Sequence, residues 1–155
     1  MSDTECLYEL IRLVRPVHRR LARGVEAKLE GTGLNVGMRA VLEVLYENGS
    51  ASVPTVARQL FLNRQQIQLV MNSLEEDGFV SGHENPAHKK SRLFALTKEG
   101  SSVFEKVKSV EAQEMMQIAA AFSPADLRSA KKVLSAIFEH LSDFEDDPNK
   151  PGGLA

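Results

Sequence analysis

Between Val36 and Thr97 the hydrophobic pattern changes its period, and that change restricts the possible folds more than any other feature. Three short segments of helical spacing come first. "VGMRAVLEVLYENG" puts Met38, Val41, Leu42 and Leu45 on one face and stops at Asn48-Gly49. "VPTVARQL" predicts a short helix with Pro54 at its first position, burying Val56, Ala57 and Leu60. "NRQQIQLVMNSLEEDG" predicts a third helix burying Ile67, Val70, Met71 and Leu74 and ending at Gly78. Asn63 is its expected N-cap, and Gln66 three residues on completes a capping-box pattern. The period then drops to two. "FVSGHE" and "SRLFALT" predict a two-stranded hairpin around the turn signal Asn85-Pro86.

Longer helical patterns flank this block. From about Thr4 to Leu29, the residues Leu7, Leu10, Ile11, Val14, Val17, Leu21, Val25 and Leu29 form one apolar stripe. Pro16 removes a backbone hydrogen bond inside it, so a kink or restart is expected. Gly31 and Gly33 suit the end of that helix, and Asn35 suits the cap of the next. After the hairpin a helix is expected from Ser101 to about Phe122. A last one is capped by Ser123, with Pro124 first and Asp126 closing the box. Its stripe is Leu127, Ala130, Leu134, Ile137 or Phe138, Leu141 and Phe144. At 155 residues the chain suits a single domain, expected over residues 1–146, with 147–155 as a disordered tail.

The formal net charge of −2 argues weakly against a polyanionic partner, so its distribution matters. Residues 1–36 hold six Lys or Arg against five acids, residues 37–100 seven against seven, and residues 101–155 six against nine. The acid excess therefore belongs to the last third, largely to "DFEDD". One cysteine, Cys6, excludes an intramolecular disulfide and a cysteine-rich zinc site. His18, His83, His88 and His140 are scattered without metal-ligand spacing, so neither metal nor cofactor is expected. No apolar run reaches the roughly 18 residues of a membrane span. The acidic "MSDTECLYEL" start is unlike a secretion signal, so a cytoplasmic protein is expected. There is no glycine-rich phosphate loop, nucleophile elbow or plausible triad, which argues against an enzyme.

Three short helices followed by a hairpin is the order of a winged helix-turn-helix. The third helix carries the decisive signal. With Ile67 pointing to the core and about 100° per residue, its outer face holds Gln65, Leu69, Asn72 and Glu76, flanked by Gln66, Gln68 and Ser73. A surface helix without a partner would be laced with Lys and Glu. Gln and Asn instead offer a donor and an acceptor together, matching the N6/N7 edge of adenine in the major groove, and Leu69 can meet a thymine methyl. Arg64 and Arg58 are candidate phosphate contacts, helped by backbone N–H groups at the helix start beside Asn63. At the hairpin tip, Lys89 and Lys90 suit the adjacent minor groove, with Arg92 just inside the strand. Double-stranded DNA is the partner these residues predict.

The chain resembles the MarR family of bacterial transcriptional regulators over nearly its whole length, most closely from "GMRAVLEVL" through "LEEDGFV" to "ALTKEG". The last resembles the family's LT..G, which closes the wing and opens the following helix. Phe61 departs from the pattern, standing where a glycine is common. The resemblance implies a mainly α fold with a small β-hairpin wing: a winged helix-turn-helix core over 36–100 flanked by N- and C-terminal dimerisation helices over 1–34 and 101–146. It further implies a homodimer on a palindromic operator that acts as a ligand-responsive repressor. Small effectors of the family often bind between the dimer helices and the winged core, where Arg15, His18 and Arg19 are the candidates here. Two other readings compete. One is a winged-helix protein-interaction module that binds no DNA, suggested by the net acidity. The other is a thiol-based redox sensor using Cys6, opposed by Asp3, Glu5 and Glu9, which disfavour its thiolate.

Overall fold

Each helix of the computed structural model, which describes residues 2–141, begins on a Ser, Thr or Asn side chain that accepts a backbone N–H of the first turn. These caps set the segmentation of the chain. Ser2 opens α1 (Asp3–Leu29), Asn35 opens α2 (Val36–Asn48), and a two-residue strand β1 (Ala51–Ser52) leads into α3 (Val53–Leu60). Asn63 then opens α4 (Arg64–Glu76), followed by β2 (Val80–His83) and β3 (Leu93–Leu96). Thr97 opens α5 (Lys98–Ala119), and Ser123, with the full capping box to Asp126, opens α6 (Pro124–His140).

Several expectations need correction. The hairpin is not two-stranded: Ala51 and Ser52 pair with Phe94 and Leu93, giving an antiparallel sheet of order β1-β3-β2. Pro54 sits second in α3, because Ser52 and not Val53 is the cap. Only the Asn63 half of the predicted box at α4 forms, its Oδ1 accepting the Gln66 N–H at 3.0 Å. Helix α1 continues through Pro16 without restarting. Helix α5 begins at Lys98, three residues before Ser101, because Thr97 caps it. Phe144 and the expected disordered tail, 147–155, lie outside the described residues.

The core is the winged block together with one helix from outside it. Val41, Leu42 and Leu45 of α2, Val56 and Ala57 of α3, and Ile67, Met71 and Leu74 of α4 are all buried. Phe94 of the sheet and Phe104 of α5 close the cluster, with Phe104 against Tyr46 at 5.2 Å between ring centroids. Leu60 and Val70, expected inside, are half-buried at its edge. The N-terminal stripe behaves differently: Leu29 is buried, but Leu7, Leu10, Ile11, Val14, Val17 and Leu21 stand exposed. No residue of α6 is buried, and Leu127, Leu134, Phe138 and Leu141 face outward. Both helices are thus amphipathic, with most of the apolar face left exposed within the described chain. Among the described residues no helix is long and apolar enough to cross a membrane.

Candidate nucleic-acid interface

The turn into α4 is built from an unusual residue. Phe61 adopts φ 53° and ψ 40°, the left-handed conformation that ends α3, and the Leu62 N–H returns to the Ala57 carbonyl at 3.0 Å. Glycine tolerates this geometry best. Here the phenylalanine ring meets Phe138 of α6 edge-on, with centroids 5.5 Å apart. From this turn α4 runs with its core face on Ile67, Met71 and Leu74, leaving Gln65, Gln66, Gln68, Leu69 and Asn72 exposed. Leu69, at 68% exposure, is the most open large apolar side chain among the described residues.

The amides on this face are ordered among themselves. Gln68 Nε2 donates to Asn72 Oδ1 at 2.8 Å, one turn along the helix. Gln68 keeps its carbonyl and Asn72 its amide N–H groups for an outside partner. Ser73 turns inward, its hydroxyl donating to the Leu69 carbonyl at 3.2 Å, so it does not join them. Asn63 uses its side-chain oxygen as the helix cap, which makes its role at the interface one of shaping the helix start. Arg58 is exposed on α3, with Nη2 3.4 Å from the Thr55 hydroxyl.

The wing stands beside this face. Its tip is made by successive turns: His88 N–H to the Asn85 carbonyl, Ser91 N–H to the His88 carbonyl, and Ala87 N–H to Asn85 Oδ1, each at 3.1 Å. Lys89 and Lys90 are exposed there. A cleft of about 380 Å³ separates wing and helix, and Arg64, Gln65, Gln68, Lys90 and Arg92 all line it. The folded chain therefore gathers residues 26 positions apart in sequence, from 64 to 90, around one cationic and amide-rich concavity. Arg92 is engaged: its guanidinium forms a fork with Glu75, Nη2 to Oε1 at 2.7 Å and Nη1 to Oε2 at 3.2 Å. The guanidinium holds the Glu75 carboxyl below the ordinary carboxylate range. No local spacing in the sequence pointed to this pair, whose partners stand 17 residues apart.

A second missed cluster joins the core to the flanking helices. Arg39 of α2 binds Glu111 of α5 through two bonds, at 2.9 and 2.5 Å, and also pairs with Glu43. These bonds, that to Glu111 foremost, push the guanidinium pKa upward. Lys28 of α1 pairs with Glu114 of α5. Both pairs border a crevice of about 550 Å³ between α1, α2 and α5, together with Arg20, Leu21 and Met115. Of the three effector candidates, His18 lines a different, apolar groove between α1 and α6, with Leu10, Val14 and Leu134. Arg15 and Arg19 stand exposed on α1, and Arg20 is the arginine of that run which borders the crevice. Cys6 is free and exposed, and the described residues contain no cluster able to hold a metal ion.

No protein-family model matches the chain. Among curated proteins it is 30% identical over 137 residues to an uncharacterized protein of Mycobacterium bovis, covering 86% of this chain and 92% of that one. It is 32% identical over 91 residues to the uncharacterized HTH-type transcriptional regulator YkoM of Bacillus subtilis, covering 59% of this chain. That match spans only 57% of YkoM's length. The HTH-type transcriptional repressor IacR of Pseudomonas putida is 22% identical over 125 residues, 81% of this chain and 75% of that one. Among solved structures, a MarR family transcription regulator superposes with a TM-score of 0.84 at 27% identity, covering 92% of this chain and 94% of that one. A MarR variant from Escherichia coli complexed with operator DNA superposes at 0.75 with 17% identity, over 88% and 99% of the two chains, a likeness of fold. With the capped helix order, the three-stranded wing and the amide-faced α4 in place, the chain belongs to the MarR family of winged helix-turn-helix transcription regulators.

Proposed function

We propose that this regulator binds double-stranded DNA sequence-specifically as a homodimer, and that it represses transcription until a small effector loosens it. The observation that carries the reading is the exposed amide face of α4 set beside the cationic wing across one cleft. Gln65, Gln66, Gln68, Leu69 and Asn72 read base edges, while Arg58, Arg64, Lys89 and Lys90 meet phosphates and the minor groove, and Asn63 shapes the helix start. The E. coli MarR variant of like fold is held in complex with operator DNA, which supports the same use of this fold here.

The uncovered apolar faces of α1 and α6 support dimerisation through residues 1–34 and 101–146 around the winged core. Contiguous apolar surface of this kind marks an interaction face. A two-fold dimer presents two α4 helices to half-sites about 10 base pairs apart, so an inverted repeat is the expected operator. The crevice between α1, α2 and α5, bordered by Arg20, Lys28 and Arg39, is where an effector would act on the angle between dimer helices and core. Repression is the simplest outcome of a dimer seated on an operator, and IacR carries that description.

The test is selection of bound duplexes from a random DNA pool by the purified protein. An enriched inverted repeat whose binding is lost on Gln65→Ala or Asn72→Ala supports the reading. Feeble, salt-insensitive binding would favour a protein-interaction module instead. A true operator complex loses about 0.9 log units of affinity per log unit of salt for each phosphate neutralised.

A further inference from the structure

The end of α4 is locked to the base of the wing by three groups that share one carboxylate. Glu75 Oε1 accepts the Gly82 N–H at 3.2 Å and Arg92 Nη2 at 2.7 Å, while Oε2 accepts Arg92 Nη1 at 3.2 Å. The guanidinium also lies over the ring of Phe94, 5.0 Å from its centroid, and Phe94 belongs to the buried core. Gly82 completes the arrangement from β2. A Cβ there would fall 2.8 Å from Arg92 Nε, so the arginine occupies the space that a side chain would need. Helix, both long strands of the wing and the core ring thus converge on one guanidinium.

A forked arginine–carboxylate pair fixes orientation as well as distance. It is also electrically neutral as a unit, so an arginine held this way displaces little of the counterion atmosphere that a free cation would release from DNA. We propose that Arg92 is a positioning residue, which through Glu75 sets the wing against the reading helix and thereby places Lys89 and Lys90. The inference rests on the DNA-binding reading above, and it replaces the expectation that Arg92 itself contacts DNA.

The discriminating variant is Glu75→Gln. It removes a negative charge from the surface that faces DNA, so electrostatics alone predicts tighter binding. Positioning predicts the opposite: affinity for the selected operator falls about tenfold, comparable to losing one specific base contact. Arg92→Gln should weaken binding similarly while leaving the salt slope nearly unchanged, whereas Lys90→Gln should reduce the slope by about 0.9. In the protein without DNA, hydrogen exchange at the Gly82 amide and across residues 84–92 should quicken in Glu75→Gln while the α2–α4 core keeps its protection. Unchanged or tighter operator binding by Glu75→Gln, or a slope lowered by about 0.9 in Arg92→Gln, overturns the proposal. Unchanged Gly82 exchange overturns it without reference to DNA. A wild-type protein that enriches no duplex, yet shows the exchange change, would sink the DNA-binding reading and leave the clamp as a purely structural element.

Discussion

Gly100→Ala tests how the wing is joined to the helix behind it. Gly100 is buried in the first turn of α5, and its N–H donates to the Thr97 hydroxyl at 3.0 Å. The same threonine binds back across the junction: its N–H donates to the Phe79 carbonyl at 3.0 Å and its hydroxyl to the Gly78 carbonyl at 2.7 Å. A Cβ on Gly100 would lie 2.9 Å from the Phe79 carbonyl carbon and 3.2 Å from its Cα, with the carbonyl oxygen nearer still. The obstacle is backbone, which cannot swing aside as a side-chain tip can. Overpacking of this sort costs about 1–3 kcal/mol, and parting Thr97 from Phe79 and Gly78 adds about 1 kcal/mol per bond. A loss of about 3–5 kcal/mol is therefore expected, out of a total stability of roughly 5–15. With a urea slope of about 2 kcal/mol/M, the unfolding midpoint should fall by about 1.5–2.5 M. Wild type and variant must be compared at one protomer concentration, because dimerisation would add to apparent stability. A midpoint shift under about 0.5 M would show that the junction relaxes freely, and would refute the argument.

Four further outcomes follow from the helix cap, the turn before α4 and the wing. Asn63→Ala removes the α4 cap and should cost about 1 kcal/mol in urea unfolding, while weakening operator binding through a frayed helix start. Phe61→Gly should be more stable than Phe61→Ala by about 1 kcal/mol, because both lose the ring but only glycine suits a φ of 53°. In a double-mutant cycle, Phe61→Ala and Phe138→Ala should couple by about 0.5–1.5 kcal/mol, and additivity would show the edge-on contact to be idle. The Glu75 carboxyl is held below its ordinary range by Arg92, so its contribution is present above the unfolded value of about 4.3 and lost as pH falls through the lowered pKa. Wild type should accordingly lose more stability than Glu75→Gln on acidification below about pH 4.3, and parallel acid limbs would contradict the pairing.

What the sequence revealed, and what it hid, divides along sequence distance. Caps and stops are local chemistry, so Asn35, Asn63, Ser123 and the Asn48-Gly49 end were legible from their neighbours alone. So was the amide face of α4, since a helical period fixes which residues point away from Ile67. Strand β1 was not, because two residues carry no alternation to detect; its pairing depends on β3, far along the chain. The Arg92–Glu75 fork spans 17 residues and the Arg39–Glu111 bonds span 72, and no spacing rule links such pairs. The stripe on α1 shows the limit from another side. Its period reported an apolar face correctly, but periodicity is silent on whether the cover comes from the same chain.

The bond from Gln68 to Asn72 has a consequence for how an operator preference could change over time. Two amides that hold each other cannot be tuned as separate letters: replacing either one re-aims its neighbour. Substitutions at the two positions should therefore be epistatic, with single changes blurring recognition and only matched pairs redirecting it. A lineage drifting to a new operator would have to cross that valley by altering both residues, or first loosen the bond and tolerate a promiscuous intermediate.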